Sequence, residues 1–275
     1  MMDVKDVVAR FQHVEGQRDN WNNHYQELAD YMLPRKADIV KKRSRGEKRM
    51  ELIFDGTALQ AVDLLSSSLH GMLTSGATPW FHLTMKDETL GKDEEVQRWL
   101  EDSSQRMMRA FTMSNFETEV HEMYVDLVVF GTGCMFAEMD DKTLRFSTRH
   151  ISEFYVTEDQ YGIVDTVFRK YELTARQAVQ RFGIENVGTF IQRTYEKKPD
   201  ETVEILHAVM PRKDRDPTKK DNKNMPYSSM YICMETKMIL GESGFQELPY
   251  VVPRFLKATG EVMGRSPAMI ALPDV

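Results

Sequence analysis

The residues of this chain best suited to bind a metal ion are four acids, Glu138, Asp140, Asp141 and Asp159. Carboxylate oxygens are the ligands that hard divalent cations prefer. Their spacing does not match a calcium-binding EF-hand loop, and acidic residues are common in tight turns such as the hairpin predicted at Asp140 and Asp141. We therefore expect no metal. A metal-dependent enzyme at this hairpin is one alternative, and it predicts stoichiometric metal uptake that is lost in Asp140→Asn with Asp141→Asn.

Catalytic motifs of other kinds are incomplete. His121 and Glu122 begin like a zinc-protease helix, but Val125 stands where a second histidine ligand is needed. The Gly-Thr-Gly turn at 131–133 lacks the Lys-Ser or Lys-Thr of a phosphate-binding loop and follows a predicted helix instead of preceding one. No serine or cysteine lies in a nucleophile-elbow context, and the two cysteines have no CxxC spacing. We predict a protein without enzymatic activity and without a cofactor.

Two cationic segments remain as candidate binding sites. In the basic run from Lys36 to Arg49, the candidate contacts with DNA or a protein partner are Lys41, Lys42, Arg43, Arg45, Lys48 and Arg49. The competing interpretation of this run is a solvated loop. The second segment is the mixed-charge loop from Pro211 to Asn224, which we expect to be mobile. Its cations are Arg212, Lys213, Arg215, Lys219 and Lys220.

Composition limits what these cations can do. The chain has 275 residues, of which 43 are acidic and 36 basic, and its formal net charge is −7. A protein whose main task is to wrap nucleic acid is usually basic, so this balance argues against a simple DNA binder. The hydrophobic fraction of 41% indicates a folded protein. No apolar run approaches the ~20 residues of a membrane-spanning helix, and we expect no membrane partner.

The N-terminal part is predicted to be helical. Apolar residues recur every three or four positions from Val4 to Met32, which predicts one long helix that ends at Pro34. Arg18 is the one charged residue in this stripe, and it is not expected to break the helix. A second helix begins after Asp55 and stops at Gly71. The stripe that this helix is expected to bury comprises Ala58, Val62, Leu65, Leu69 and Met72.

Helices at 93–111 and 117–130 come next, and from Cys134 the hydrophobic period falls towards two, which indicates β-strands. The predicted strands are 134–139, 144–149, 154–157, 164–171, 203–209, 230–234, 238–240 and 249–256. The last of them is expected to lie at a sheet edge or to be irregular, because Pro253 has no backbone N–H group to donate to a neighbouring strand. Thr174 is predicted to cap a short helix that Gly183 closes. Helices followed by small antiparallel β regions define an α+β fold class.

Four stretches together resemble the head-to-tail connecting (portal) proteins of short-tailed, podovirus-type phages. They are LIFDGTALQAVDLLSSSLHGMLTSGATPWFHL at 52–83, NFETEVHEMYVDLVVFGTGCMF at 115–136, ISEFYVTEDQYGIVDTVFRKYELTARQAVQRFG at 151–183 and PYVVPRFLKATGEVMGRSPAMIALPDV at 249–275. Their order and content are similar to that family over nearly the whole chain. The last stretch is the most specific. Its X-Pro strand, polar turn and Gly-Arg-Ser-Pro-Ala at 264–268 resemble the segment that leads into the central helices in that family.

The resemblance implies a portal-type subunit in a closed homo-oligomeric ring, typically of twelve copies, at one vertex of the capsid. Double-stranded DNA is pumped in through such a ring by a terminase motor and leaves by way of the tail. The implied partners are the terminase, tail or adaptor proteins, major capsid and scaffold proteins, and the passing DNA. The implied location is the virion, at the portal vertex of the head–tail junction, after assembly in the host cytoplasm.

The same resemblance divides the chain. Residues 1–130 are expected to form the helical part of an outer wing and 131–200 its β-rich part with a short helix. Residues 201–260 are expected to form a β-rich, clip-like region, with the loop cations at its rim. Residues 261–275 would start a central helix, and the rest of the family's C-terminal portion would lie beyond Val275. The alternative function is a soluble nucleic-acid-binding adaptor that uses the basic run 36–49.

Overall fold

The computed structural model describes residues 3–44, 46–87, 89–139, 143–219 and 221–275. It has the predicted α+β architecture, with helices first and antiparallel β regions after them. The α-helices are α1 (Val4–Gln17), α2 (Asp19–Met32), α3 (Thr57–Leu73), α4 (Glu94–Thr112), α5 (Phe116–Phe130), α6 (Ala175–Phe182), α7 (Gly188–Lys197) and α8 (Pro267–Ala271). The strands are β1 (Met135–Met139), β2 (Leu144–Thr148), β3 (Phe154–Glu158), β4 (Val164–Thr174), β5 (Thr202–Pro211), β6 (Tyr227–Cys233), β7 (Met238–Phe245) and β8 (Tyr250–Val251). Within the described residues, no helix is both long and apolar enough to cross a membrane.

The strands form two antiparallel sheets. β3 to β7 make a five-stranded sheet in sequence order, and the smaller sheet has the order β2-β1-β8. The segment predicted at 249–256 therefore lies at a sheet edge as expected, although only Tyr250 and Val251 pair with β1. β5 pairs with β4 from Thr202 to Val209, so the larger sheet contains strands from both sides of the predicted boundary at residue 200. The assignment of 131–200 to a wing and of 201–260 to a clip-like region stays a prediction.

The prediction of one long helix from Val4 to Met32 is wrong, because α1 and α2 meet at Arg18. Arg18 is buried, and its guanidinium group donates hydrogen bonds to the backbone carbonyls of Ile151 and Phe154. The same group lies 4.5 Å from the ring centre of Tyr155. These contacts with β3 and the turn before it anchor the junction, where the ladder of hydrogen bonds within the helix is interrupted.

The break lets the two helices fill different parts of the core. α1 covers one face of the five-stranded sheet through Val7, Val8, Phe11 and Val14. Burying a large apolar side chain such as Phe11 stabilises the fold by about 1.5–3 kcal/mol. α6 and α7 cover the opposite face, where alternate strand residues such as Ile205 point. α2 packs instead against α3 and α5, in the cluster around Tyr25 and Phe130.

Helix α3 is longer and less buried than predicted. It continues to Leu73, two residues past the expected stop at Gly71. The members of the predicted stripe that contact the core are Ala58, Val62, Leu65 and Leu69. Met72, the last member, is 83% exposed. Thr74 contacts α5 at this end of the helix instead, with its hydroxyl 3.2 Å from that of Tyr124.

Two glycines bring the end of α5 against the last part of the chain. Gly131 adopts a positive φ of 74°, and a side-chain carbon there would overlap the carbonyl group of Gly264. The N–H of Gly264 donates to the Thr132 hydroxyl at 2.8 Å. Ser266 then donates to the Val129 carbonyl at 2.8 Å and caps α8. The Gly-Thr-Gly turn is thus a helix-to-strand turn with a close backbone contact, as its position after a helix indicates.

Candidate functional site

The basic segment, defined here as residues 35–49, follows α2 and is held by one buried amide. The Oε1 atom of Gln26 accepts hydrogen bonds from the backbone N–H groups of Ile39, Val40 and Lys41, at 3.3, 2.9 and 3.1 Å. From Ala37 onwards the described part of the segment has neither helix nor strand. These bonds therefore satisfy backbone groups that regular structure would otherwise satisfy.

Several cations of the basic segment are neutralised by carboxylates of the same chain. Arg43 lies 3.0 Å from Asp30, and Lys41 lies 3.8 Å from the same side chain. Arg49 pairs with Asp38. The Arg43 and Arg49 side chains are only 18% and 29% exposed. The Arg43 pair holds the segment against α2, and the Arg49 pair lies within the segment, so both charges contribute little net field towards DNA.

The other predicted contacts divide into exposed cations and one undescribed residue. Lys42 reaches Glu172 on β4 at 3.0 Å, but its side chain is 82% exposed. A pair of this kind contributes about 0–1 kcal/mol. Lys48 is exposed and has no ion pair with any residue that the structure describes. Arg45 lies outside the described residues. Lys42 and Lys48 are therefore the predicted contacts most available to a partner.

A partly buried ion-pair network anchors the start of the segment to α5. Arg35 donates two hydrogen bonds to Glu122, at 2.7 and 2.8 Å. Lys36 lies 2.8 Å from Glu122 and 2.6 Å from Asp126. Asp126 is buried, and one of its oxygens has no hydrogen-bond partner. Sequence reasoning missed this network, because the Lys36–Asp126 contact joins residues that lie 90 positions apart.

The two carboxylates of the network have opposite pKa shifts. Burial acts to raise the pKa of Glu122, but hydrogen bonds from Arg35 and Lys36 outweigh it and lower this pKa to about 2. Burial raises the pKa of Asp126 to about 6, against the attraction of Lys36. The network therefore keeps Glu122 ionised at neutral pH and well below it, whereas Asp126 begins to take up a proton just below neutral pH.

The described cations of the loop at 211–224 differ in exposure. Arg212 is 10% exposed and pairs with Glu242 on β7 at 2.9 Å, so it is packed against the sheet. The exposed members of the set are Lys213, Arg215 and Lys219. Lys220 lies outside the described residues. A rim role for the exposed members stays a prediction.

One histidine, His207, and both cysteines are buried. No set of three or more histidine, cysteine, aspartate or glutamate side chains in the described ranges is arranged to hold a metal ion. Asp140 and Asp141 of the predicted hairpin lie outside those ranges. His207 is buried, and its ring nitrogens lie 2.8 Å from the Tyr250 hydroxyl and 2.9 Å from the Ser229 hydroxyl. Burial raises the pKa of the thiol of each cysteine, which makes it a poorer nucleophile.

Comparison with known proteins connects this architecture to a family. The model of the bacteriophage head to tail connecting protein family matches residues 4–275. A probable portal protein of Bordetella phage BPP-1 is 34% identical over 277 residues, which cover 98% of this chain and 50% of that protein. The portal protein of Salmonella phage epsilon15 is 34% identical over 275 residues, with the same coverage of each chain. The chain thus spans about half the length of these relatives. It belongs to the head to tail connecting protein family of bacteriophages, as its four motif stretches predict.

Proposed function

We propose that this chain is part of a portal subunit. In this proposal, copies form a closed ring at one capsid vertex, and double-stranded DNA is packaged and ejected through the hole. The observation that carries it is the family match over residues 4–275, together with two relatives named as portal proteins. The buried, hydrogen-bonded ring of His207 and the raised pKa of both cysteine thiols support a structural task.

The charge of the chain suits a conduit for DNA. A surface that neutralises many phosphates binds DNA tightly and in a strongly salt-dependent way. This chain has a net charge of −7, and the described arginines of the predicted DNA contact are paired with Asp30 and Asp38. DNA that passes such a surface is repelled on average and does not adhere. The adaptor alternative needs those same cations free, so the observed pairs count against it.

The proposal includes the partners and locations that the family implies. The ring would contact the terminase motor, tail or adaptor proteins, and major capsid and scaffold proteins. It would lie in the virion at the portal vertex after assembly in the host cytoplasm. Residues 1–200 would belong to the wing and 201–260 to a clip-like region. Lys42, Lys48 and the exposed loop cations would face these partners.

Ring formation is tested by imaging the intact protein that contains this chain. Negative-stain class averages are expected to show closed rings with a central hole. Particles without a hole, of the size of a single subunit, would contradict the proposal.

Binding to a short DNA duplex separates the portal from the adaptor. We expect the protein to bind a 20-base-pair duplex more weakly than a Kd of about 10⁻⁴ M at physiological salt, the weak end of nonspecific binding. Fluorescence anisotropy at two salt concentrations measures this. Lys42→Glu with Lys48→Glu is the test variant, and Lys213→Glu with Arg215→Glu is its matched control. Tight, salt-steep binding that only the first pair abolishes would establish the adaptor function instead.

A further inference from the structure

A polar cleft of about 570 Å³ is lined by residues of both sheets and of α6. Four arginines line it: Arg145 on β2, Arg149 just after β2, Arg169 on β4 and Arg181 on α6. Guanidinium groups are the protein groups best suited to bind a carboxylate or phosphate through two parallel hydrogen bonds. Neither the basic segment nor the loop at 211–224 includes these residues.

Two of the four guanidinium groups are fixed by neighbouring side chains. Arg169 lies 2.9 Å from Glu153 and 3.8 Å from the ring centre of Tyr171. Arg181 donates to the Tyr231 hydroxyl at 2.8 Å and lies 4.9 Å from the centre of the same ring. Stacking on aromatic rings holds the planar groups in place. The cleft is therefore organised before any ligand arrives.

The other two arginines lack the ion pair with Glu153 that Arg169 makes. Arg149 and Arg145, like Arg181, make no ion pair with a carboxylate among the described residues. Arg149 is half-buried over Phe136, and its Nε atom is buried with no hydrogen-bond acceptor. Burial and the neighbouring Arg169 lower the pKa of Arg149. A guanidinium group removed from water beside a second cation is unfavourable unless an anion compensates it.

The charges of the cleft indicate how much negative charge a bound ligand can carry. The described lining has three glutamates, Glu138, Glu153 and Glu172, against its four arginines. A single monoanion would bring the lining to neutrality. A phosphate dianion or a run of DNA phosphates would leave excess negative charge beside the glutamates. One carboxylate is therefore the ligand that the charge balance favours.

We propose that the cleft binds one carboxylate side chain from a second copy of this chain. The proposal rests on the proposed ring, in which each subunit presents one face to a different face of the next. In such a contact, an unpaired cationic site on one face can meet an acid on the other. The surface supplies acids without partners: Glu94 and Glu95 in the first turn of α4 are exposed and make no ion pair with a described residue.

Replacing Arg149 by methionine tests this site in the intact protein. The concentration at which half of the protein is assembled is expected to rise at least tenfold, as measured by sedimentation velocity. The melting temperature of the unassembled subunit is expected to stay equal or to increase, because the change removes an uncompensated cation. Arg176→Met, an exposed arginine on the same helix as Arg181, is the matched control and should assemble like the wild type.

The other outcomes overturn the proposal in distinguishable ways. If the wild type forms rings and Arg149→Met forms them equally well, the carboxylate site is wrong and the proposed function stands. If the wild type never assembles, both fail. If 10 mM sodium phosphate raises the melting temperature of the wild type but not of Arg149→Met, while assembly is equal, the cleft binds a small anion. If Asp140→Asn with Asp141→Asn reproduces the Arg149→Met assembly defect and lowers the melting temperature of the subunit, the carboxylate comes from the same copy.

Discussion

Replacing Lys36 by methionine is expected to lower the free energy of unfolding by about 3–5 kcal/mol at pH 8. Lys36 is the nearest cation to Asp126, at 2.6 Å, and the other Asp126 oxygen has no partner. Methionine leaves this buried carboxylate without compensation. Glu122 keeps its two hydrogen bonds from Arg35, so the loss arises mainly at Asp126. Urea unfolding of the two proteins measures the difference.

The loss of unfolding free energy in Lys36→Met depends on pH, and the pKa of Asp126 determines the direction of this dependence. Its pKa in the folded protein, about 6, lies above its ordinary value of 3.8. Its protonation therefore stabilises the fold fully below about pH 3.8, and this contribution is lost as the pH rises through 6. At pH 5 Asp126 is mostly protonated in the folded state, and Glu122, with a pKa of about 2, remains ionised. The Lys36→Met loss should therefore be clearly smaller at pH 5 than at pH 8.

Lys41→Met is the matched control, because Lys41 is 65% exposed and lies 3.8 Å from Asp30. It should cost no more than about 1 kcal/mol at either pH. The double variant Lys36→Met with Asp126→Leu should recover most of the lost stability, since it removes the uncompensated charge. Equal losses for Lys36→Met at both pH values would show that Asp126 is not the source of the effect.

Replacing Arg18 by methionine is expected to lower the free energy of unfolding by about 2–4 kcal/mol. The side chain fills the junction of α1 and α2 and donates to the carbonyls of Ile151 and Phe154. Methionine preserves much of the volume, but it leaves both buried carbonyls without a donor. Lysine keeps the charge but not the planar fork, so Arg18→Lys should lose a similar amount.

Arg10→Met tests whether this effect is specific to the junction. Arg10 lies on α1, but it is exposed and makes longer hydrogen bonds, of 3.3 Å to Thr157 and 3.2 Å to Thr166. Its replacement should cost about 1 kcal/mol or less. Chemical denaturation followed by circular dichroism compares the three variants. Losses of equal size for Arg10→Met and Arg18→Met would contradict the anchoring role of Arg18.

Elements whose ends are determined by local chemistry could be predicted from the sequence. Thr174 forms a capping box with Gln177, and α6 ends before Gly183 as predicted. Asp93 caps α4, and Gly131 ends α5 at a positive φ. In each case the determining residues lie within a few positions of the helix end.

Elements whose form depends on distant contacts could not be predicted. The stripe through Arg18 satisfies a helical period on both sides, and only the carbonyls of β3 and its preceding turn reveal the break. Helix α7 was missed because it is short, begins at Gly188 and has Ile191 as its one buried residue. The period of a short segment is too weak a signal without the sheet face that it covers.

The ion pairs of the candidate site could not be predicted from the sequence for the same reason. The sequence identifies a basic run but not the acids that neutralise it. Asp30 precedes the run, whereas Glu172 lies 130 positions after Lys42. The arginine cleft likewise draws on two sheets and a helix, and its members are scattered in the sequence from 145 to 181. Only the fold shows which cations are paired and which are not.

Native mass measurement of the intact protein that contains this chain tests ring formation. One dominant assembly is expected, and its mass should be a whole-number multiple of the subunit mass, twelve by the family resemblance. Its mass should not grow further with concentration, because a closed ring has no free interface. A single-subunit mass at every concentration and salt would contradict ring formation, and so would an open series of ever larger oligomers.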